Sequence, residues 1–205
     1  MVAVIKYILV ALIIGAFAGY LDYSFLNLTG SSLVSDYMFN ASLFLLLFLM
    51  GLTLSLDKEA IAKIRKSGLR ILIVPFSVAA GSILGGFVAG LVLRLDVFAS
   101  MAVTAGCGWY TLTGPLVGDL FGLEWGAMGF VVNFMRELFT IVGVSLLIRI
   151  DKYGPIASGG ATSMDTTLPI IVRYSGSDAL ITAFSSGFVL TLIAPFMIIA
   201  IATLG

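Results

Sequence analysis

The feature that most constrains this chain is a series of apolar runs, each long enough to cross a membrane. A helix needs about 20 apolar residues to span a hydrocarbon core of about 30 Å. Five runs meet this requirement, at 2–20, 37–56, 69–93, 125–148 and 179–204. Charged residues make up only 11% of the 205 residues, whereas soluble domains carry roughly 25%. The sequence therefore predicts an all-α integral membrane protein.

Residue types that many enzymes and binding proteins need are scarce or absent. The chain has no histidine and one cysteine, Cys107, which excludes histidine-based triads, histidine-bearing zinc sites and a disulfide within the chain. The 11 basic and 11 acidic residues cancel, so no basic surface is expected to attract nucleic acid. We therefore expect no metal, no cofactor and no nucleic-acid partner.

Two further apolar stretches, 97–122 and 153–176, are interrupted by glycine, hydroxyl residues and proline. The interruptions run from Gly106 to Pro115 and from Gly159 to Pro169. Such clusters break a helix and restart it, and proline fits the first turn of the new helix. In the second stretch we also expect Asp165 or a neighbouring hydroxyl to cap that new helix.

The distribution of basic residues indicates how the broken stretches lie in the membrane. The loop after the second span is expected in the cytoplasm because it is rich in lysine and arginine; these residues are Lys58, Lys63, Arg65, Lys66 and Arg70. A first broken stretch that crossed completely would place Arg149 and Lys152 outside, whereas one that turns back places them inside. We therefore predict five transmembrane helices plus two oppositely oriented re-entrant hairpins, with tips near the midplane. The N-terminus is expected in the cytoplasm and the C-terminus outside.

A weak internal repeat agrees with this arrangement. A shift of 54 residues superimposes Gly106 on Gly160, Thr113 on Thr167, Pro115 on Pro169, Gly122 on Gly176 and Phe130 on Phe184. Each unit would be a hairpin followed by a membrane helix, and the charges make the two units inverted. The predicted regions are an N-terminal three-helix region at 1–96, a first repeat at 97–150 and a second at 151–205. Inverted repeats with broken helices are the plan of many secondary transporters.

Polar residues that are energetically unfavourable inside a membrane occur in the fourth predicted span and at the second break. Asn133, Arg136, Glu137 and Thr140 recur at helical spacing, and charged groups at the bilayer centre cost roughly 3 kcal/mol or more. Arg136 and Glu137 could form a buried structural pair, or each could meet broken backbone or a solute. Asp165 lies at the second break, where helix ends and acidic groups together suit an ion or solute site.

Trp109 and Tyr110 lie at the first break. They would be lipid-interface anchors or, if the tip reaches the midplane, walls of a cavity. The candidate substrate- and proton-binding residues are Glu137, Asp165, Asn133, Arg136, Trp109, Tyr110, Thr111, Thr113, Thr162, Ser163 and Thr166.

These motifs resemble the lysine exporter (LysO) family. The resemblance is carried by four segments: the Phe-Leu-Met-Gly of 48–51, the Gly-Trp-Tyr-Thr-Leu-Thr-Gly of 108–114, Asn133 with the Arg-Glu-Leu of 136–138, and the Gly-Ala-Thr-Ser-Met-Asp of 160–165 with the Thr-Leu-Pro of 167–169. It implies export of L-lysine and close analogues, by exchange with protons, with Glu137 as a functionally important acid. Longer family members carry a further N-terminal membrane region. The resemblance therefore implies a short form that acts as a homodimer or with a small partner subunit.

Three other functions are compatible with parts of the pattern. A channel could use the two hairpins as a selectivity element. An intramembrane enzyme could use Glu137 and Asp165 as an acidic dyad, and a scaffolding subunit would leave the polar stripe unexplained. We expect a transporter in the cell membrane rather than an enzyme.

Overall fold

The computed structural model describes residues 72–205 continuously and seven isolated helical positions between 14 and 52. Apart from those positions, the predicted spans 2–20 and 37–56 lie outside the described residues, as does the basic loop that follows them. Residues 72–205 belong to one compact unit, 57–205. Every regular element within 72–205 is helical, which confirms the all-α prediction for this part of the chain.

Three long helices alternate with shorter ones. In chain order the helices are α1 (Ile73–Leu93), α2 (Val97–Ala105), α3 (Tyr110–Phe121), α4 (Leu123–Ile150), α5 (Gly154–Gly159), a 3-10 helix (Gly160–Met164), α6 (Leu168–Ser175) and α7 (Ala179–Ala202). Helices α1, α4 and α7 are long and apolar enough to cross a membrane. Between them lie a first broken segment, 97–121, and a second broken segment, 154–175. Both predicted interruptions are therefore real breaks in the helices.

The ends of the broken segments follow from local chemistry. Asp96 caps α2, because its carboxylate accepts a hydrogen bond of 2.8 Å from the backbone N–H of Ala99. Helices α3 and α6 end at Gly122 and Gly176, with φ of 101° and 88°. Glycine adopts such positive φ without the steric cost that a side chain would bring. The two glycines are 54 residues apart and have the same local conformation.

Two expectations about the restarted helices are wrong. Pro169 is in the first turn of α6, as expected, but Pro115 lies inside α3, whose helix begins earlier, at Tyr110. No side chain caps α6. The hydroxyls of Thr162 and Ser163 instead donate to the carbonyls of Gly159 and Gly160, at 2.9 and 2.6 Å. The 3-10 turn brings these carbonyls next to the hydroxyls three residues later. The N–H groups of Thr167 and Leu168 at the start of α6 donate instead to the backbone carbonyls of Thr162 and Asp165, at 3.1 and 3.3 Å.

One apolar core cluster of this unit lies where the two broken segments meet. Its fully or nearly fully buried members, which we term the tip cluster, are Val78, Ala79, Cys107, Ala161 and Leu190. They come from α1, the two breaks and α7. The breaks are therefore packed at the centre of the unit.

Candidate functional site

Asn133 on α4 connects this helix to the first broken segment by hydrogen bonds. Its carbonyl oxygen accepts a hydrogen bond of 2.7 Å from the backbone N–H of Gly108. Its amide nitrogen donates to the carbonyls of Val103 and Gly129, both at 2.8 Å. The side chain is 1% exposed, so these bonds satisfy a polar group that would otherwise be costly to bury. Asn133 therefore holds both sides of the first break.

Arg136, one turn later on α4, connects this helix to the second broken segment by hydrogen bonds. Its Nε donates to the carbonyl of Ser158 at 2.8 Å, and its Nη2 donates to the carbonyl of Ala157 at 2.9 Å. Its Nη1 donates to the hydroxyl of Ser82 on α1 at 2.9 Å. Of the two sequence interpretations, Arg136 thus meets broken backbone, and it does not pair with Glu137. These carbonyls end α5, and arginine commonly satisfies carbonyls at such helix ends.

The two breaks touch each other directly. The backbone N–H of Ala161 donates to the carbonyl of Cys107 at 2.8 Å. Gly160, with φ of 61°, lies against the same carbonyl, and a side chain at this position would collide with it. Trp109 packs against the tip cluster, so its ring lies at this contact.

Glu137 differs from its neighbours because one of its two carboxylate oxygens is buried without a partner among the described residues. Its side chain is 7% exposed, and its Oε2 atom is buried with no hydrogen-bond partner in the part of the chain that the structure describes. Almost all buried polar atoms in proteins have a partner, so an orphan oxygen calls for an explanation such as a ligand, water or proton. Glu137 is thus the residue of the polar stripe that is free to bind something else.

Tyr110 and Asp165 lie near Glu137 and interact with it electrostatically. The Tyr110 ring packs edge-on against Phe130 and Phe134, with ring centroids 5.4 and 5.6 Å apart. Asp165 is exposed and accepts a hydrogen bond of 2.6 Å from the backbone N–H of Thr166. One residue from each break and one from α4 therefore form an acidic cluster, which we term the Glu137 cluster.

The five candidate hydroxyls fall into two groups. Thr113, Thr162 and Ser163 are buried and donate to backbone carbonyls. Thr111 and Thr166 are exposed. Thr166 makes a long contact of 3.4 Å to the Asp165 carboxylate, and Thr111 has no hydrogen-bond partner within 72–205. The exposed pair follows Tyr110 and Asp165 directly in the chain.

Some residues of the site carried no usable sequence signal. Ser82 and Ser158 bind Arg136, and the Ser158 hydroxyl also lies 2.7 Å from that of Thr140. A single serine in an apolar run has a small free-energy cost and is common, so the sequence did not distinguish these two serines as site residues. Cys107 stood out only as the one cysteine.

Open space borders Arg136. A cavity of about 580 Å³ is lined by Ser82, Thr104, Asn133 and Arg136, among others. A second, of about 400 Å³, is lined by Ser77, Gly81 and Arg136, among others.

A family profile and two related proteins indicate the same family for this chain. The profile of the family described as "Lysine exporter LysO" matches residues 9–202. The chain is 36% identical over 157 residues to Lysine exporter LysO of Escherichia coli K12, covering 77% of this chain and 52% of that protein. It is 28% identical over 195 residues to a Haemophilus influenzae protein named "Putative lysine exporter", covering 94% of this chain and 95% of that protein.

The chain thus spans about half the length of its Escherichia coli relative. No solved structure matches it. The family match covers most of the sequence and includes every residue of the site. This chain belongs to the lysine exporter LysO family.

Proposed function

We propose that this protein is a secondary active transporter of the cell membrane that exports L-lysine and close analogues from the cytoplasm in exchange for protons. The observation that carries the proposal is the buried, unpartnered Oε2 of Glu137, in a chain of the lysine exporter family. A carboxylate held in this way can bind an ammonium group, and after the cation leaves it can take up a proton. One site then serves substrate and coupling ion in turn.

The Glu137 cluster supports a binding mode for lysine. Glu137 and Asp165 would balance its ammonium groups, and Tyr110 would hydrogen bond at the same place. The α-carboxylate needs donors, and the buried hydroxyls already donate to backbone. We therefore assign the carboxylate to the exposed hydroxyls of Thr111 and Thr166.

We further propose that the two broken segments are re-entrant hairpins entering from opposite faces. Lys152 and Asp178, which flank the second segment, form an ion pair of 3.9 Å, so this segment begins and ends at the same place. In the first, Val103 and Thr113 would lie about 15 Å apart in a continuous helix. Both instead contact α4 between Gly129 and Asn133, a stretch of about 6 Å.

The proposed inverted repeat has support from pairs of residues 54 apart. Cys107 and Ala161, which hydrogen bond to each other, are such a pair. A contact between equivalent residues is what a pseudo-twofold axis through the tips would produce. The stacked rings of Phe130 and Phe134 recur as Phe184 and Phe188. We therefore retain the divisions 1–96, 97–150 and 151–205, with the N-terminus in the cytoplasm and the C-terminus outside.

The decisive experiment is lysine counterflow in proteoliposomes that contain the purified chain. Glu137→Gln keeps the size of the side chain but removes its charge and its proton site, so we expect exchange to fall at least tenfold and to lose its dependence on a pH gradient. Glu124→Gln is the matched control, because Glu124 is exposed in the first turn of the same helix. Proton-coupled lysine exchange that persists in Glu137→Gln would overturn the proposal. Rapid flux without counterflow would indicate a channel instead.

We also propose that the working unit contains a second copy of this chain or a small partner subunit, because the longer relative has about twice the matched length. Efflux of lysine and thialysine from cells that express this chain alone tests this point. Efflux accompanied by a monomeric mass in detergent would contradict it.

A further inference from the structure

The contact between the two tips and the bonds of Arg136 belong to one arrangement. In a continuous helix the N–H of Ala161 would donate to the carbonyl of Ala157, four residues earlier. Here it donates to the carbonyl of Cys107 at 2.8 Å, and Arg136 occupies the Ala157 carbonyl at 2.9 Å instead. Arg136 therefore takes the place that Ala161 leaves when the tips meet.

We propose that Arg136 is a positioning residue that latches the two tips into a closed barrier, and that this latch opens during each transport cycle. The inference rests on the proposed transport function. It assigns Arg136 no contact with lysine, which would bind at the Glu137 cluster. The barrier is the tip cluster, centred on Cys107 and Ala161.

The hydrogen bond of the Ala161 N–H gives the latch two alternative arrangements. If the tips separate, the N–H of Ala161 can return to the carbonyl of Ala157, which the guanidinium then has to share. The single N–H of Ala161 can donate to Cys107 or to Ala157 but not to both, and such exclusive pairing is the property that a gate between two discrete arrangements needs. No carboxylate within 72–205 forms a salt bridge with Arg136. Its bonds to backbone carbonyls and to Ser82, together with its contact with the Cys107 side chain, hold its charge at this place.

The latch lies on one side of the tips only. The residue 54 positions after Arg136 is Leu190, which is fully buried in the tip cluster. An apolar side chain there seals the barrier but offers no donor to a broken helix. Open space also borders Arg136.

The chain carries its own reporter of the barrier. Cys107 is the single cysteine of the sequence and has 0% exposure in the tip cluster. Its side chain also lies against Arg136 and Ser82, so a small thiol reagent can reach it when the tips part or when the side chain at 136 is shortened. Its rate of modification by methyl methanethiosulfonate, followed by intact-protein mass, therefore reports on this contact without any added label.

The first test compares this rate in the full chain with Arg136→Gln and Arg136→Lys. Lysine keeps the positive charge but cannot bind two carbonyls and a hydroxyl with one planar fork. We expect modification to be at least tenfold faster in Arg136→Gln and also faster in Arg136→Lys. Arg149→Gln, an exposed arginine of the same helix, should match the unaltered chain. Folded variants in which Cys107 stays as slow as in the unaltered chain would overturn the latch.

Transport gives a readout that simple loss of stability would not produce. With the latch weakened, lysine counterflow should fall while uncoupled lysine leak rises severalfold, because the closed barrier is lost. A variant that is merely less stable would lose both fluxes, and that result would contradict the proposal. If the unaltered chain shows no lysine flux, the proposed function fails, whereas the rates of Cys107 modification still decide the latch.

A second test leaves Arg136 intact. Ala161→Cys places a thiol in the tip cluster beside Cys107, so mild oxidation is expected to join the tips. We expect oxidation to stop counterflow and a reductant to restore it, with Ala161→Ser unaffected by either treatment. Full exchange in the chain with joined tips, or failure of the two thiols to join, would show that the tips are not the moving barrier.

Discussion

The backbone N–H of Ala161 donates a hydrogen bond of 2.8 Å to the carbonyl of Cys107, and the two residues are 54 positions apart, the period of the internal repeat. Each lies in the break of its own segment. A polar contact between two interrupted helices satisfies backbone groups that the interruption releases. Neither break could be buried in an apolar core without such a partner.

The proposed hairpins make a prediction about sidedness. In a Cys107→Ser background, we expect single cysteines at Asp96 and Glu124, which flank the first segment, to react with an impermeant maleimide from outside the cell. Single cysteines at Lys152 and Asp178 should react only from the cytoplasmic side. The protein leaves all four positions exposed, so a difference in labelling between the two sides reports sidedness. Labelling of 96 and 124 from opposite sides would mean that the first segment crosses the membrane.

Gly187 should tolerate no side chain. A Cβ atom there would lie 2.6 Å from the backbone nitrogen of Met164 and 2.7 Å from the carbonyl oxygen of Ala161, and neither can move without displacing the second tip. We expect Gly187→Ala to lower the free energy of unfolding by about 1–3 kcal/mol, measured as thermal stability in detergent. Gly81→Ala is the matched control, because no atom of residues 72–205 lies within 4 Å of its added Cβ. Equal stability of the two variants would refute the close packing.

Asn133 should matter for stability more than its size suggests. Asn133→Ala leaves the N–H of Gly108 buried without an acceptor, which costs about 1–3 kcal/mol. The melting temperature should fall accordingly, whereas Val132→Ala, on the neighbouring residue that is 39% exposed, should change it little. A melting temperature equal to that of the unaltered chain would show that the first tip does not depend on this side chain.

Tyr110 should affect lysine affinity rather than folding. Tyr110→Phe keeps the ring contacts with Phe130 and Phe134 but removes the hydroxyl that interacts with Glu137. Loss of one hydrogen bond of about 1 kcal/mol predicts a decrease in apparent affinity of about fivefold. Concentration-dependent counterflow measures it, and Tyr174→Phe, on an exposed ring, serves as control. Unchanged affinity would remove Tyr110 from the binding site.

Much of the site could be located from sequence because desolvation costs are local. Arg136 and Glu137 interrupt an apolar span, where a charged residue is costly wherever the helix packs. Their separate partners could not be read in the same way. Adjacent residues of a helix point roughly 100° apart, and which neighbour lies in each direction depends on the packing of segments distant in the chain.

The sequence by itself located the three helices of 72–205 that are long and apolar enough to cross a membrane, the two breaks and the candidate acids. Apolar length, glycine with proline, and charge in an apolar span act over a few residues. Only the tertiary structure decided that Asn133 and Arg136 hydrogen bond to the backbone of the broken segments. It also decided that Glu137 keeps an unpartnered oxygen and that Ser82 belongs to the site. Those assignments depend on hydrogen bonds between residues up to 54 positions apart. Such bonds exist only after the helices pack and exclude other partners.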